Sequence, residues 1–173
     1  MPSFTRCMQM IEVTIPEGVQ FSLNGRTAKV KGKIGEVERE FKGAPVSIKH
    51  EGKSIKVSSE DKAIEGTVAS HLNNMFKGVL NGYEKKMVIR FAHFPMSLEI
   101  KATELWIKNF LGEKKPRKAK IIGKVKIEVK GQDVRVHGAD KEAVGQTVAN
   151  IRTATRIREK DGRVFQDGIF IVG

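Results

Sequence analysis

The chain is poor in cysteine, in tryptophan and tyrosine, and in long apolar runs, and each shortage excludes something. Cys7 is the only cysteine in 173 residues, so no internal disulfide framework and no multi-thiolate zinc site can form. The amino terminus MPSFTRCMQM lacks the apolar core of a secretory signal, and together with the cysteine usage this leads to the expectation of a cytoplasmic protein. No uninterrupted apolar stretch approaches the length of a bilayer span, so no membrane is expected as a partner. One Trp and one Tyr leave little material for an open platform on which bases could stack.

Catalytic constellations are missing as well. The histidines at 50, 71, 93 and 137 fall in four separate elements, with no spacing suited to a metal. No phosphate-binding glycine loop with its lysine, nucleophile elbow or zinc-protease helix occurs. Asp161 and Asp167 stand near glycines but lack the acid spacing and closing Glu of a calcium loop, so they read as two turns. No catalytic residue, metal or cofactor is expected.

What the chain does contain is itself, twice. VSIKHEGKSIKVSSEDKAIEGTVASHL, from Val46 to Leu72, recurs as VKIEVKGQDVRVHGADKEAVGQTVANI, from Val125 to Ile151. At constant offset Val46, Ile48, Gly52, Val57, Asp61, Lys62 and Gly66 match Val125, Ile127, Gly131, Val136, Asp140, Lys141 and Gly145. One inserted residue later Thr67-Val68-Ala69 meets Thr147-Val148-Ala149. The match extends upstream, with Lys33-Ile34-Gly35-Glu36 against Phe110-Leu111-Gly112-Glu113. Self-similarity outweighs the single domain that length alone suggests. The fold class expected is α+β, an internal duplication of two similar domains, 1–82 and 83–173, each with small antiparallel sheets and one helix around a single core.

The repeated unit reads as strand, turn, strand, helix. In the first copy, Met10 to Ile15 is a strand ending at Pro16, and Val19 to Leu23 with Thr27 to Lys31 flank Asn24-Gly25, a strong hairpin signal. Gly32 to Phe41 reads as a further, charge-rich edge pair, and Ser58 as the hydroxyl that starts the helix. That helix carries Ile64, Val68, Leu72, Met75, Phe76 and Val79 as a core stripe with Lys62, Glu65 and Asn73 away from it, and is ended by Gly78 and Gly82. In the second copy Met87 to Phe91 is a strand, His93 to Met96 a stiff junction, and Ser97 to Lys108 a hairpin whose Trp106 is assigned to the core. The second helix starts near Asp140 and buries Val144, Val148 and Ile151. The tail reads as a strand around Val164-Phe165, a turn at Asp167-Gly168 and a terminal apolar strand.

Charge distinguishes the copies. The net charge is +12, and residues 1–80 hold 12 Lys and Arg against 9 acids while residues 81–173 hold 20 against 11, giving +3 and +9. A polyanionic partner, nucleic acid first, is implied. Where the first copy has Val37-Glu38-Arg39-Glu40, the second has Lys114, Lys115, Pro116, Arg117, Lys118, Ala119 and Lys120, read as a basic loop outside the packed strands. Arg152, Arg156, Arg158 and Lys160 cluster toward the carboxyl end of the second helix, more cations than its macrodipole needs. With few aromatics, backbone and shape recognition of folded RNA fits this surface best.

IPEGV at Ile15 to Val19, HFPM at His93 to Met96, NFLGEKKPRKAKI at Asn109 to Ile121 and RVFQDGIFIV at Arg163 to Val172 together make the chain resemble the sixth protein of the large ribosomal subunit, in its archaeal and eukaryotic form. The resemblance covers essentially the whole chain. It implies a structural constituent of the large subunit, a monomer within the cytoplasmic ribosome, that binds large-subunit ribosomal RNA near the sarcin-ricin loop and the translation-factor site, chiefly through the second domain. Neighbouring large-subunit and stalk-base proteins are the further partners it implies. Carried to this chain, RNA contacts fall on the Lys114 to Lys120 loop and on Arg163, Gln166, Asp167 and Gly168, although the tail departs from the lysine-rich motif of the bacterial form. Two other classes stay open at this level: a general nucleic-acid-binding or RNA-chaperone protein outside the ribosome, and an enzyme acting on RNA.

Overall fold

The computed structural model describes residues 11–41, 46–59, 61–92, 94–158, 160–161 and 163–172. Cys7, Met10 and His93 lie outside them. The chain divides into two compact units, Met1–Asn81 and Gly82–Gly173.

The first unit contains β1 (Ile11–Thr14), β2 (Gln20–Asn24), β3 (Thr27–Lys31), β4 (Glu36–Glu40), β5 (Val46–Glu51), β6 (Ser54–Ser59) and α1 (Lys62–Asn81). Its strands form two antiparallel sheets, ordered β1-β6-β5 and β2-β3-β4. Gly32 to Phe41, expected as an edge pair, supplies only β4, paired with β3 in the register Lys29 to Glu38. Ser58 belongs to β6 and does not start the helix. Asp61 does, its side chain accepting from the Ala63 amide at 2.9 Å, because a carboxylate fixed on its own backbone two residues on caps a first turn well. Glu65, expected to face water, is buried instead. Its Oε1 accepts the Ser59 amide at 2.7 Å, a reach back toward the preceding strand that satisfies an amide the helix start would otherwise strand. Gly78 lies inside α1 among the buried residues, and the helix runs on to Asn81. Gly82 alone turns the chain, at φ +74°, a conformation that suits a residue without Cβ.

The second unit repeats the plan with β7 (Tyr83–Arg90), β8 (Ser97–Lys101), β9 (Glu104–Lys108), a 3-10 turn at Phe110–Gly112, β10 (Arg117–Lys120), β11 (Lys126–Lys130), β12 (Asp133–Gly138), α2 (Lys141–Ala154) and β13 (Gly168–Val172). Its sheets are β10-β9-β8 and β11-β12-β7-β13. Among the described residues the two units therefore differ in one strand, β13, which the tail adds beside β7. No strand forms at Val164-Phe165: the amides of both donate to the Asp161 carbonyl in a turn.

One core joins both sheets to α2: Met87, Ile89, Leu105, Ile107, Phe110, Val134, Val136, Val148, Ile151 and Ile169 are all buried in it. Each large side chain removed from water contributes about 1.5–3 kcal/mol. Strict alternation along β9 puts Leu105 and Ile107 into this core and turns Trp106 the other way. Trp106 is thus not a core residue but a half-buried one on the outer face. The hairpin loops differ in kind. Gly25 opens the β2–β3 turn at φ +62°, while Ala102 takes the same place between β8 and β9 at φ +36°, where a Cβ is strained.

Candidate nucleic-acid interface

The stretch expected as a basic loop is half strand. Lys114 and Lys115 are exposed in the connection, but Arg117 to Lys120 form β10, paired with β9 in the register Lys118 to Trp106. This is the counterpart of β4, so the charge sits on a sheet edge rather than on a free loop. Ala119 points into the core and Lys118 and Lys120 point out.

Arg117 is spent internally. Its Nε donates to Glu113 Oε2 at 2.8 Å and its Nη2 to Glu113 Oε1, a two-pronged pair. Its Nη1 donates to the carbonyls of Ala154 at 2.9 Å and Arg156 at 3.1 Å, and the guanidinium carbon stands 4.3 Å from the centre of the Phe110 ring. The planar fork suits this arrangement as a lysine would not. The hydrogen bond from Arg117 holds the Glu113 carboxyl below its ordinary range. The helix end is closed from a second side by Thr155, whose hydroxyl donates to the carbonyls of Ile151 at 3.2 Å and Arg152 at 3.3 Å. Together these groups satisfy carbonyls that a helix end leaves without intrahelical partners.

That closure corrects the placement of the arginine cluster. Only Arg152 lies in the last turn of α2; Arg156, Arg158 and Lys160 follow it in irregular chain. The bend brings them to the basic connection: Glu113, Arg117, Ala154, Arg156, Arg158 and Lys160 line one hollow of about 370 Å³. Arg156 also lines a broader groove of about 1000 Å³, with Arg90, Arg152, Phe165, Gln166 and Gly168 among its walls. Through Arg156 the two run together from Glu113 and Arg117 across the end of α2 to the tail. Arg152, Arg156 and Arg158 are exposed along it, as are Lys114 and Lys115 next in the chain to Glu113, and Lys160 lies 4.6 Å over the Phe165 ring.

The tail residues divide. Arg163 and Gln166 are exposed, the turn that presents them fastened by the Arg163 amide on Asp161 Oδ1 at 2.9 Å. Asp167 is buried, 3% exposed, and accepts the Ala92 amide at 2.5 Å. Gly168 is buried at the start of β13, and a Cβ there would stand 3.1 Å from the Phe170 ring. These two residues fix the tail beside β7, and both also line the broader groove. Arg90, which sequence reasoning missed, sits at the end of β7 on the groove wall; its position directly after the apolar run Met87-Val88-Ile89 was the available signal. Among the described residues, no cluster of His, Cys, Asp or Glu could hold a metal ion, and no helix is long and apolar enough to cross a membrane.

The family model described as "Ribosomal protein L6" matches residues 15–82 and again 94–168. The chain belongs to the ribosomal protein L6 family. Two matches to one model show the duplication as well, since each half is recognised as the same module. Among curated relatives, the large ribosomal subunit protein uL6 of Methanothrix thermoacetophila is 44% identical over 163 residues, covering 91% of this chain and 93% of the relative. Those of Staphylothermus marinus and Methanosarcina mazei are each 47% identical, covering 92% of this chain and 91% and 94% of their own lengths. Membership makes the chain a ribosomal protein by class and not an enzyme acting on RNA.

Proposed function

We propose that this chain is a structural constituent of the large ribosomal subunit that docks on large-subunit ribosomal RNA near the sarcin-ricin loop and the translation-factor site, chiefly through residues 83–173. The relatives are named as large-subunit proteins, and the charge of this chain is concentrated in the same half that carries the basic surface. The observation that carries the reading is the meeting of Glu113 and Arg117, the chain neighbours of Lys114 and Lys115, with Arg156, Arg158 and Lys160 around the end of α2. Two stretches about forty residues apart in sequence converge into one phosphate-facing surface, with Arg117 used to hold them together. Exposed cations release counterions on meeting phosphates, which gives affinity without base readout. Shape recognition of folded RNA by such a surface leaves the sequence of the RNA to its own fold.

Arg163 and Gln166 extend the contact to the tail, with Lys118 and Lys120 at its β10 edge. Asp167 and Gly168 belong to the proposal only as the residues that place this tail. Neighbouring large-subunit and stalk-base proteins complete the setting, with the chain as a monomer among them. The test is neutralisation in two sets. Changing Lys114, Lys115, Arg156 and Arg158 together to Gln should reduce the log–log salt slope of binding to a folded large-subunit RNA fragment by about 3, at roughly 0.7–0.9 per lost phosphate contact. Changing Lys31, Lys33, Lys49 and Lys53 of the first unit should reduce it much less. Equal losses from both sets would overturn the assignment of the second unit as the RNA-facing one.

A further inference from the structure

The sheet β8-β9-β10 has an outer face that takes no part in the core. Trp106 is the middle residue of the central strand, opposite Glu99 on β8 and Lys118 on β10. Its Nε1–H donates to Glu104 Oε2 at 3.0 Å, which fixes the ring orientation. The ammonium groups of Lys101 and Lys118 stand over the indole, 3.9 and 4.5 Å from its ring centre. Lys108 lies on the same face, paired with Glu99 at 2.7 Å.

The duplication supplies an internal control for this face. In the first unit β3 takes the place of β9, and Lys29 takes the register of Trp106, paired with Glu38 at 3.0 Å. Lys118 and Lys120 stand where Glu38 and Glu40 stand. Along these strands the first outer face carries Lys29 and Lys31 against three Glu, a net −1; the second carries lysines at 101, 108, 118 and 120 against Glu99 and Glu104, a net +2. The inner faces keep the same job in both copies, since Ala28 and Val30 are buried as Leu105 and Ile107 are. Packing therefore does not explain why the only tryptophan of the chain replaces a lysine on the wet side.

We propose that the outer face of β8-β9-β10 is a second RNA contact, at which an unpaired nucleobase stacks on Trp106 while the flanking phosphates take Lys101 and Lys118. The inference rests on the reading of the chain as an RNA binder and adds a site and a substrate class to it: a single-stranded or looped-out segment, in place of a folded backbone alone. A base has a π-face that fits the indole and phosphates that fit the lysines, whose flexible stems let the ammonium groups swing off the ring. An acidic peptide would satisfy the lysines and leave the ring without a partner. A continuous duplex keeps its bases stacked on each other and cannot offer one to the ring. The expectation from composition that the chain has no stacking platform is revised by one residue in one place.

Because Trp106 is the sole tryptophan, its emission reports this face alone. The full chain is titrated with an eight-residue oligoadenylate, with a blunt RNA duplex of equal length, and with polyglutamate. The expected result is saturable quenching by the single strand and little by the other two. Trp106→Lys, the residue the first copy tolerates at this position, should lower affinity for a labelled single strand by about 5- to 150-fold, the range given by loss of one stacked base. It should leave affinity for the duplex unchanged; Trp106→Phe should recover most of the loss. Quenching by the duplex as strong as by the single strand, or by polyglutamate, or unchanged single-strand affinity in Trp106→Lys, would each overturn the proposal. Binding to a folded ribosomal RNA fragment is measured in parallel: if that persists while single-strand quenching is absent, only the stacking site fails, and if both are absent the reading as an RNA binder fails with it.

Discussion

Replacing Arg117 by Gln separates its structural role from the RNA contact that its place in the sequence suggests. The guanidinium makes a two-pronged pair with Glu113, donates to two carbonyls at the end of α2 and covers the Phe110 ring. The pair is part exposed, with side-chain exposures of 29% and 39%, so about 0.5 kcal/mol is a fair share for it. The bond to the Ala154 carbonyl is part buried and contributes about 1–1.5 kcal/mol as a charged donor, the more exposed one to Arg156 about half that. Stacking on Phe110 adds roughly 0.5 kcal/mol. The sum is about 2.5–3 kcal/mol, which for a unit of this size is roughly a 10–20 °C loss in melting temperature. Thermal and urea unfolding followed by Trp106 emission reports the second unit. Lys118→Gln, on the adjacent exposed position, serves as control and should shift stability by under about 0.5 kcal/mol. Arg117→Lys should recover less than half of the loss, because an ammonium cannot reproduce the fork. The reasoning is refuted if Arg117→Gln melts with the Lys118→Gln control, or if Arg117→Lys melts with the parent.

Other perturbations probe different parts of the structure. Gly32→Ala should destabilise the first unit by about 1–3 kcal/mol in urea titration, since a Cβ there would collide with the buried Val79 side chain. Ala102→Gly should raise the stability of the second unit by a few tenths to about 1 kcal/mol by relieving its positive φ; a loss would show the turn to be unstrained. The carboxyls of Glu99 and Glu113 are held below their ordinary value of 4.5, by hydrogen bonds from Lys108 and Arg117 respectively. A carboxyl depressed on folding contributes stability that is full above its unfolded pKa and lost as pH falls through the folded one. Stability should therefore fall as pH drops from about 5 toward 3, and Glu113→Gln should flatten that decline while lowering stability at pH 7.

The fold was legible because duplication doubles every signal. Asp61 and Asp140 each start a helix, and their match at constant offset was the signal for it, one that Ser58, matched only by His137, lacks. Glu65 could not be read, because its partner is the Ser59 amide of the preceding strand and not a neighbour on the helix. The basic stretch after Lys114 was legible as charge but not as structure: its lysines suggested a loop, whereas pairing with β9 makes it a strand. Arg117 and Asp167 show the commonest failure of reading sites from sequence, since a charged residue in a basic or conspicuous stretch can be consumed by a backbone amide or carbonyl far along the chain. Trp106 was misassigned by residue type although alternation with Leu105 and Ile107 already placed it on the opposite face.

The most direct test of the ribosomal reading is a salt-titrated affinity of the purified chain for a folded large-subunit ribosomal RNA fragment carrying the sarcin-ricin region. Duplex DNA and a scrambled RNA of the same length compete. The account expects the folded fragment to bind more tightly by orders of magnitude, with a preference that survives raised salt, because shape as well as charge is recognised. Equal affinity for all three, lost together as salt rises, would contradict it and leave only a general polyanion surface.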